Sequence, residues 1–414
     1  MSNRHFPVHP NLRQLKNQAK DLLRGIRRGD PDAIGDLQQH HPEQPDAADA
    51  KLADAQLALA RSYGLPSWPR LVLACEVTDA ICHDRVSRLR ELMIKHPSLL
   101  TESARGTVGE NWGPPMSYAA NLGRTRIIEM LRQLGAADLD HAFDRACLQG
   151  ELAAAQQLYA MGARPKPTAL LGPAETLTPN GMAFLLEHGA DARYVPDDGG
   201  TPAALVLETY VRGPEGKHAC LELLAQYGVE LPDTPTMALH RGRIDLLEAH
   251  LGRDPKLLSR VFSHAEIYPQ SIGCHTDESL ALNTRPIGGA TLLHLCVDYD
   301  EMAMARWLLA HGVDVNAHAE VGADGFGGHT ALFGCVVAQS QRMRKTDDFA
   351  ALLLDHGADP NVRVSLRKQL RFVGDELMHE YRDVTPLSWG AKFHDREFVS
   401  EKAMRLVETR GGRA

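Results

Sequence analysis

Side chains that can bind metal ions or transfer protons are concentrated in one stretch of the chain, residues 260–289. The stretch contains these histidine, cysteine, tyrosine and acidic residues: His264, Glu266, Tyr268, Cys274, His275, Asp277 and Glu278. A metal centre, formed with His329 for example, needs three or four ligands at about 2 Å in a fixed geometry. Adjacent residues such as Cys274 and His275 rarely both reach one ion, and the sequence has no H-E-x-x-H motif. We therefore expect polar loop residues here and no metal.

Two other polar segments, 317–329 and 362–384, suggest phosphate binding or acid–base chemistry. The glycine-rich run 322–328 has no G-K-[ST] after it, so we expect a tight turn rather than a phosphate-binding loop. The second segment has carboxylates and arginines suited to acid, base and electrophile: Asp375, Glu376, Glu380, Arg371 and Arg382. Only convergence in three dimensions would give them those roles. No catalytic motif is found, which favours a non-enzymatic protein without catalytic residues or a cofactor.

Composition excludes several classes of protein. The 414 residues are 43% hydrophobic and 24% charged, which indicates a folded chain. A formal charge of −8 argues against nonspecific binding to nucleic acid or acidic lipid. The apolar runs are far shorter than the ~20 residues of a membrane helix, and the first residues lack the apolar stretch of a signal peptide. Seven cysteines without a C-x-x-C pair predict reduced thiols and a cytoplasmic protein.

Three segments of the chain resemble one another, 168–192, 291–316 and 330–361. Each opens with Thr-x-Leu and ends with L-L-x-H-G-[AV]-D. The closing glycine follows the opening threonine by 21 residues in the first two segments and by 27 in the third. A repeated spacing of this kind indicates a stack of similar units.

The repeated pattern resembles ankyrin repeats, in which a T-P-L-H-x-A opening precedes two short helices and L-L-x-x-G-A-D-x-N. About nine units match, beginning near residues 75, 114, 141, 168, 201, 233, 291, 330 and 385. The resemblance implies an all-α ankyrin-repeat solenoid with long finger loops between its helix pairs. Each pair has an apolar stripe that only a stacked neighbour can bury. We expect the opening threonine to cap the first helix and the closing glycine to take a left-handed conformation.

Residues 1–74 do not match the repeat. Apolar residues from Leu12 to Ile26 recur at helical spacing, and a second amphipathic stretch runs from Leu52 to Ala60. Bacterial ankyrin-array proteins often carry a similar helical leader, which would cover the apolar face of the first unit. The predicted domains are thus a leader or N-terminal helical cap over 1–74 and a repeat array over 75–414.

The resemblance also implies structural roles for several side chains. Cys296 and Cys335 occupy the place of a small buried residue in the first helix, so we expect core positions rather than nucleophiles. His294 is the histidine of the T-P-L-H element, which usually braces neighbouring loops through hydrogen bonds. Trp307 and Trp389 fall at core positions within helices.

Insertions near 260–289, 317–329 and 362–384 make the last units longer than the others. Unit starts are 58 residues apart across the first insertion and 55 across the last, against 27 in the short units. We expect the three to project together from one end of the concave side. In ankyrin arrays, partners contact the finger tips and the concave face of the first helix. The predicted partner-binding residues are Asp298, Tyr299, Phe326, His329, Arg371, Tyr381, Arg382, Lys392 and Phe393.

Two functions follow as alternatives. The first is a non-enzymatic scaffold, monomeric and without affinity for nucleic acid or membrane, that grips a protein or peptide partner with aromatic and arginine anchors. Replacing Tyr381 and Arg382 together should then abolish binding and barely change unfolding. The second is an enzyme or small-molecule-binding protein with a polar pocket between inserts 260–289 and 362–384.

The two alternatives predict different sites. An enclosed pocket would bring together at least three of His264, His275, Asp277, His329, Arg371 and His379. A scaffold would instead have an open groove lined by Tyr299, Phe326, Tyr381 and Phe393.

Overall fold

The computed structural model describes residues 4–106, 112–197, 199–280 and 283–414. Residues 281 and 282 of the predicted insert 260–289 therefore lie outside the described part. The chain is mostly helical and divides into two compact units, Met1–Pro165 and Lys166–Ala414. No helix among the described residues is long and apolar enough to cross a membrane.

The N-terminal unit is a set of packed helices. They are α1 (Leu12–Arg27), α2 (Pro31–His40), α3 (Leu52–Ser62), α4 (Trp68–Cys82), α5 (Val86–Lys95), α6 (Pro115–Ala120), α7 (Thr125–Gln133), α8 (Leu139–Gln149) and α9 (Leu152–Ala160). Helix α1 begins at a cap, where the Asn11 side chain accepts a hydrogen bond from the Gln14 backbone N–H. Its apolar stripe, including Leu15 and Ile26, is buried against α2 and α3. The amphipathic helix predicted from Leu12 to Ile26 is therefore confirmed.

The predicted limit of the leader, between residues 74 and 75, falls inside α4. Ala74 and Cys75 are both buried in the core formed by α1–α3. A helix that contributes successive residues to one core does not end at a domain boundary. The compact units instead divide between Pro165 and Lys166.

The C-terminal unit contains further helices and two strands. They are α10 (Leu171–Thr176), α11 (Pro179–Glu187), α12 (Pro202–Glu208), α13 (Pro214–Gln226), α14 (Pro235–His240), α15 (Ile244–Arg253), α16 (His264–Ile267), α17 (Leu292–Asp298), α18 (Met302–Ala310), α19 (Ala331–Val336), α20 (Asp348–Asp355), β1 (Val364–Lys368), β2 (His379–Val384), α21 (Pro386–Lys392) and α22 (Glu401–Thr409). Successive helices pair as α17 with α18, α19 with α20 and α21 with α22, and α19 packs between α17 and α21. This stacking places the buried faces of neighbouring pairs against each other.

The glycines that close the helix pairs α17–α18 and α19–α20 have the conformation predicted for them. Gly312 and Gly357 have φ angles of 83° and 88°. After α18 the Val313 N–H bonds back to the Leu308 carbonyl, which satisfies an end-of-helix acceptor. A residue with a Cβ is disfavoured at this φ, so the glycine sets where the second helix ends.

The opening threonines do not all cap their helices. Thr201 and Thr385 accept hydrogen bonds from the backbone N–H three residues on, as predicted. Thr291 makes no such cap, because its hydroxyl lies 2.7 Å from the Nδ1 atom of His294. The Nε2 atom of His294 is 2.9 Å from the His329 carbonyl oxygen, so this histidine joins neighbouring repeats as expected.

The insert 362–384 departs from the all-α prediction. Strands β1 and β2 form an antiparallel hairpin in which Leu366 pairs with Tyr381 and Lys368 with His379. Residues at alternate positions of a strand face opposite sides, so Leu366 and Lys368 are buried while Arg367 between them is more exposed.

The three inserts contact one another. The Ile287 N–H donates to the Arg367 carbonyl at 3.2 Å, and the Gly327 N–H donates to the Ser365 carbonyl at 2.8 Å. Strand β1 is therefore bordered by both of the preceding inserts, and the run 322–328 forms the tight turn predicted for it, closed by a 2.8 Å bond from the Gly322 N–H to the Phe326 carbonyl.

Gly390 tests the packing of α21 against its neighbours. A Cβ at this position would lie 2.3 Å from Cγ1 of Val336 and 3.0 Å from Sδ of Met404. We expect Gly390→Ala to lower the free energy of unfolding by about 1–3 kcal/mol through overpacking. Urea denaturation measures the loss. Gly374→Ala is a suitable control, because a Cβ there would meet nothing within 4 Å; an equal effect of both changes would contradict the packing argument.

Candidate binding site in the C-terminal unit

The structure buries six of the nine residues predicted to contact a partner. Those with exposed fractions of 1–7% are Asp298, Tyr299, Phe326, His329, Tyr381 and Phe393. Arg382 and Lys392 are exposed, and Arg371 is partly buried. The expectation that Tyr299, Phe326, Tyr381 and Phe393 would line an open groove is wrong, because a buried side chain offers no free surface to a partner.

Tyr381 is buried because β2 directs it into an aromatic cluster. Its ring lies edge-on to Trp389 with centroids 4.7 Å apart, and is stacked with Phe393 at 6.0 Å. The Tyr381 hydroxyl accepts a 3.1 Å hydrogen bond from the His394 backbone N–H. The next residue of the strand, Arg382, faces the opposite side and is exposed, as strand alternation requires.

Phe326 is buried beneath two arginines. The guanidinium carbons of Arg367 and Arg382 lie 3.9 and 4.7 Å from the centre of its ring. Arg367 is also paired with Glu380 at 3.0 Å and with Asp324. Cation–π contacts and ion pairs thus stabilise the packing of the turn 322–328 against the hairpin.

Tyr299 lies at the centre of a buried polar cluster. Its hydroxyl donates to the Leu207 carbonyl at 2.8 Å and is 2.8 Å from the Tyr268 hydroxyl. The Lys217 Nζ atom lies 4.0 Å from the Tyr299 ring centre, and the Arg212 guanidinium carbon 4.6 Å. Charged side chains such as these are rarely buried in the interior of a protein.

Three of the four cations in this cluster come from insertions in the repeat pattern, and the fourth, Lys217, lies in helix α13. Arg212 belongs to the surplus between α12 and α13, Arg285 to the insert 260–289 and Lys368 to the insert 362–384. Arg285 and Lys368 are 7% and 2% exposed, and the side chain of Arg212 only 1%. The extra chain therefore contributes charged groups to the interior as well as surface loops.

Carboxylates compensate only part of this buried positive charge. Lys217 pairs with Glu301 at 2.9 Å, and Arg212 lies 3.5 Å from Asp298. Within the described residues, neither Arg285 nor Lys368 has an ion pair with a carboxylate. Burial, with the Arg285 guanidinium as the second cause, lowers the pKa of Lys368 to about 7.

A small cavity of about 20 Å³ adjoins the cluster. It is lined by Arg285, His294, Asp298 and His329 among others. In the part of the chain that the structure describes, Nε and Nη1 of Arg285 and both ring nitrogens of His329 are buried without a hydrogen-bond partner. Both oxygens of Asp298 likewise accept no hydrogen bond from described residues, although Arg212 is close. Buried polar atoms normally have partners, so this cavity is a candidate ligand site.

A second, larger pocket of about 450 Å³ lies between the two long inserts. It is lined by Glu175, Tyr210, Asn283, Gln339, Leu370, Arg371, Phe372, Val373 and Phe398. Phe372 and Tyr210 remain 82% and 50% exposed. Large aromatic side chains with so much free surface are typical of recognition sites.

The hairpin turn holds Phe372 in place. Its φ angle of 59° is disfavoured for a residue with a Cβ. The Phe372 N–H donates to Oε1 of Glu376 at 2.6 Å, which supports the turn. Backbone strain of this kind persists where the surrounding structure enforces it, often at binding sites.

The six polar residues proposed for an enclosed site do not converge in this pocket. Arg371 is the one among them that lines it. His329 lines the small cavity, and His264 bonds the His275 carbonyl at 3.1 Å. His379 is stacked on His394 and paired with Asp375.

The carboxylates considered for acid–base chemistry hold the hairpin together. Asp375 is 2.9 Å from Nε2 of His379. Glu376 accepts from the Phe372 N–H, and Glu380 pairs with Arg367 and Arg382. No group of three or more His, Cys, Asp or Glu able to hold a metal ion occurs in the ranges that the structure describes.

Comparisons with known proteins give one family. Residues 288–319 match the sequence model of the ankyrin repeat. No curated protein sequence matches the chain. Among solved structures, the human ASB11 ankyrin repeat domain is similar at 18% sequence identity; the match covers 72% of this chain and 99% of that one, with a TM-score of 0.26. The sequence match supports an ankyrin-repeat protein, a class of modules that generally bind other proteins.

Sequence reasoning missed the buried cations. Arg212, Arg285 and Lys368 lie in insertions, where charged residues are ordinarily solvated. The alternation V-S-L-R-K was the available signal for Lys368, because it predicts a strand with Leu366 and Lys368 on one face. No local sequence pattern predicts that Arg212 and Arg285 are buried.

Proposed function

We propose that this protein is a binding scaffold that holds a protein or peptide partner at the pocket between inserts 260–289 and 362–384. The partner supplies an apolar side chain that enters the pocket and packs on Phe372 and Tyr210. The ankyrin repeat match supports a role in protein–protein interaction. We further propose that the protein is a cytoplasmic monomer of bacterial type, with the leader as its N-terminal cap.

One observation carries this proposal: the pocket of about 450 Å³ has an apolar rim with two exposed aromatic rings. A pocket of about 450 Å³ has room for one large side chain of a partner. Arg371, at its edge, is placed to pair with a carboxylate of the partner. Arg382 and Lys392 remain proposed contacts because they are exposed.

A displayed random-peptide library tests the proposal. We expect the wild-type protein to enrich peptides with an aromatic or large aliphatic residue, and Phe372→Ser to weaken their binding at least about tenfold, since hot-spot residues contribute more than 1 kcal/mol. Fluorescence polarisation with a selected peptide measures the affinity. Val195→Ser is the matched control, because Val195 is 62% exposed and does not line the pocket.

Two results would contradict the scaffold. One is the absence of any enriched peptide. The other is an affinity that Phe372→Ser and Val195→Ser leave equally unchanged.

A small-molecule ligand is the second candidate, and the pocket volume favours it. Small-molecule sites commonly have volumes of about 300–1,000 Å³ and mostly apolar walls. In that case a fragment library should give ligands that compete at Phe372 while displayed peptides fail to bind. The peptide selection therefore separates the two candidates.

A further inference from the structure

Around Tyr299, buried cations outnumber the carboxylates that lie beside them. The buried cations are Arg212, Lys217, Arg285 and Lys368, and the carboxylates beside them are the buried Asp298 and Glu301 and the half-buried Glu278. An uncompensated charge in a protein interior is strongly destabilising. Among the residues described, no carboxylate, Asp298 and Glu278 included, lies within ion-pair distance of Arg285 or Lys368.

Arg285 and Lys368 are held near each other by the backbone. The Ile287 N–H donates to the carbonyl of Arg367, the residue before Lys368, at 3.2 Å. The two cations therefore sit on adjoining segments and repel each other. An anion between or beside them would relieve that repulsion.

The cavity at Arg285 presents hydrogen-bond donors without acceptors. Nε–H and Nη1–H of Arg285 are buried and unbonded within the described residues, and one ring nitrogen of neutral His329 carries a further N–H. Burial keeps the pKa of His329 well below its ordinary value, so this ring donates one proton and no more near neutral pH. The cavity is thus lined by two buried side chains that have three unpartnered N–H donors between them.

We propose that this cavity binds a small inorganic anion of the halide class, such as chloride, held by Arg285 and His329. At about 20 Å³ the cavity has room for one particle somewhat larger than a water molecule, and not for phosphate or sulfate. Asp298 also lines the cavity, but Arg212 stands 3.5 Å from its carboxylate and offsets its charge. Gln339 lines both this cavity and the pocket at Phe372, but Arg285 and His329 line the cavity and not that pocket, so the proposal goes beyond partner binding.

A chloride titration tests the site. Sodium gluconate replaces sodium chloride so that the ionic strength stays constant, and gluconate is too large to enter the cavity. For the wild-type protein we expect chloride to raise the melting temperature by about 5 °C when its concentration is a hundredfold above Kd. The Arg285→Met variant should have the same melting temperature in chloride and in gluconate, even if the substitution itself changes that temperature. Arg405→Met is the matched control, since Arg405 is exposed in the same unit.

A second variant and a direct measurement complete the test. Lys368→Met removes the neighbouring cation and should reduce the chloride-dependent rise while leaving Arg285 in place. A crystal soaked in bromide should show anomalous density between Arg285 and His329. Equal melting temperatures of the wild-type protein in chloride and gluconate would overturn the proposal, as would a chloride-dependent rise that Arg285→Met retains. Either result would mean that only water occupies the cavity.

Discussion

Replacing Glu301 with alanine should lower the free energy of unfolding of the C-terminal unit by about 3–5 kcal/mol. The Glu301 carboxylate lies 2.9 Å from Nζ of Lys217 and 2.7 Å from Nε2 of His218. Lys217 is 1% exposed, so without Glu301 its ammonium group would be left buried and unpaired. Burial alone would raise the pKa of Glu301, yet Lys217 and His218 hold it below the ordinary value, which shows how strongly the ionised form is held.

A double substitution tests whether the loss comes from leaving Lys217 buried without its partner. Because replacing both members of a buried pair by apolar residues is often neutral, Lys217→Met with Glu301→Leu should recover most of the loss caused by Glu301→Ala. Glu401→Ala is the control, as this carboxylate is 62% exposed in its pair with Arg396 and should contribute less than about 1 kcal/mol. Urea denaturation gives the free energies, and hydrogen exchange assigns the loss to residues 166–414. A loss for Glu301→Ala no larger than that for Glu401→Ala would refute the buried-pair account.

Tyr381→Ala is the second change with a large expected effect. The sequence predicts a binding role for Tyr381 and Arg382 together, with little effect on unfolding. The structure separates them. Tyr381 is 6% exposed and packed on Trp389 and Phe393, so its truncation should cost about 3–5 kcal/mol through the cavity it leaves.

Arg382→Ala is the matched control from the next position of the same strand. Its side chain is 67% exposed, and its pair with Glu380 lies at the surface. We expect a loss below about 1 kcal/mol. Urea denaturation of the two single variants measures both effects. If Tyr381→Ala unfolds like the wild type, Tyr381 is free for binding and the packing described for it is not what stabilises the hairpin.

The sequence by itself determined where several of the helix pairs end. Threonine and glycine at fixed spacing, with apolar runs between them, predicted helix pairs that end where Gly312 and Gly357 adopt positive φ. These features are local, because a helix end depends on the few residues around it. The role of His294 between neighbouring repeats was predictable for the same reason, since it belongs to the repeated motif.

Only the tertiary structure decided which insert residues face the interior. The sequence placed Phe326, Tyr381 and Phe393 on a binding surface, and the structure buries them, while Phe372 is the ring left exposed. It also brought Arg285 and Lys368 together, although 83 residues of chain separate them. Burial of an insert depends on which other segments cover it, and contacts between distant segments leave no periodic trace in the sequence. The helix pairs were therefore predictable from local sequence patterns, whereas the candidate sites depend on tertiary packing between distant segments.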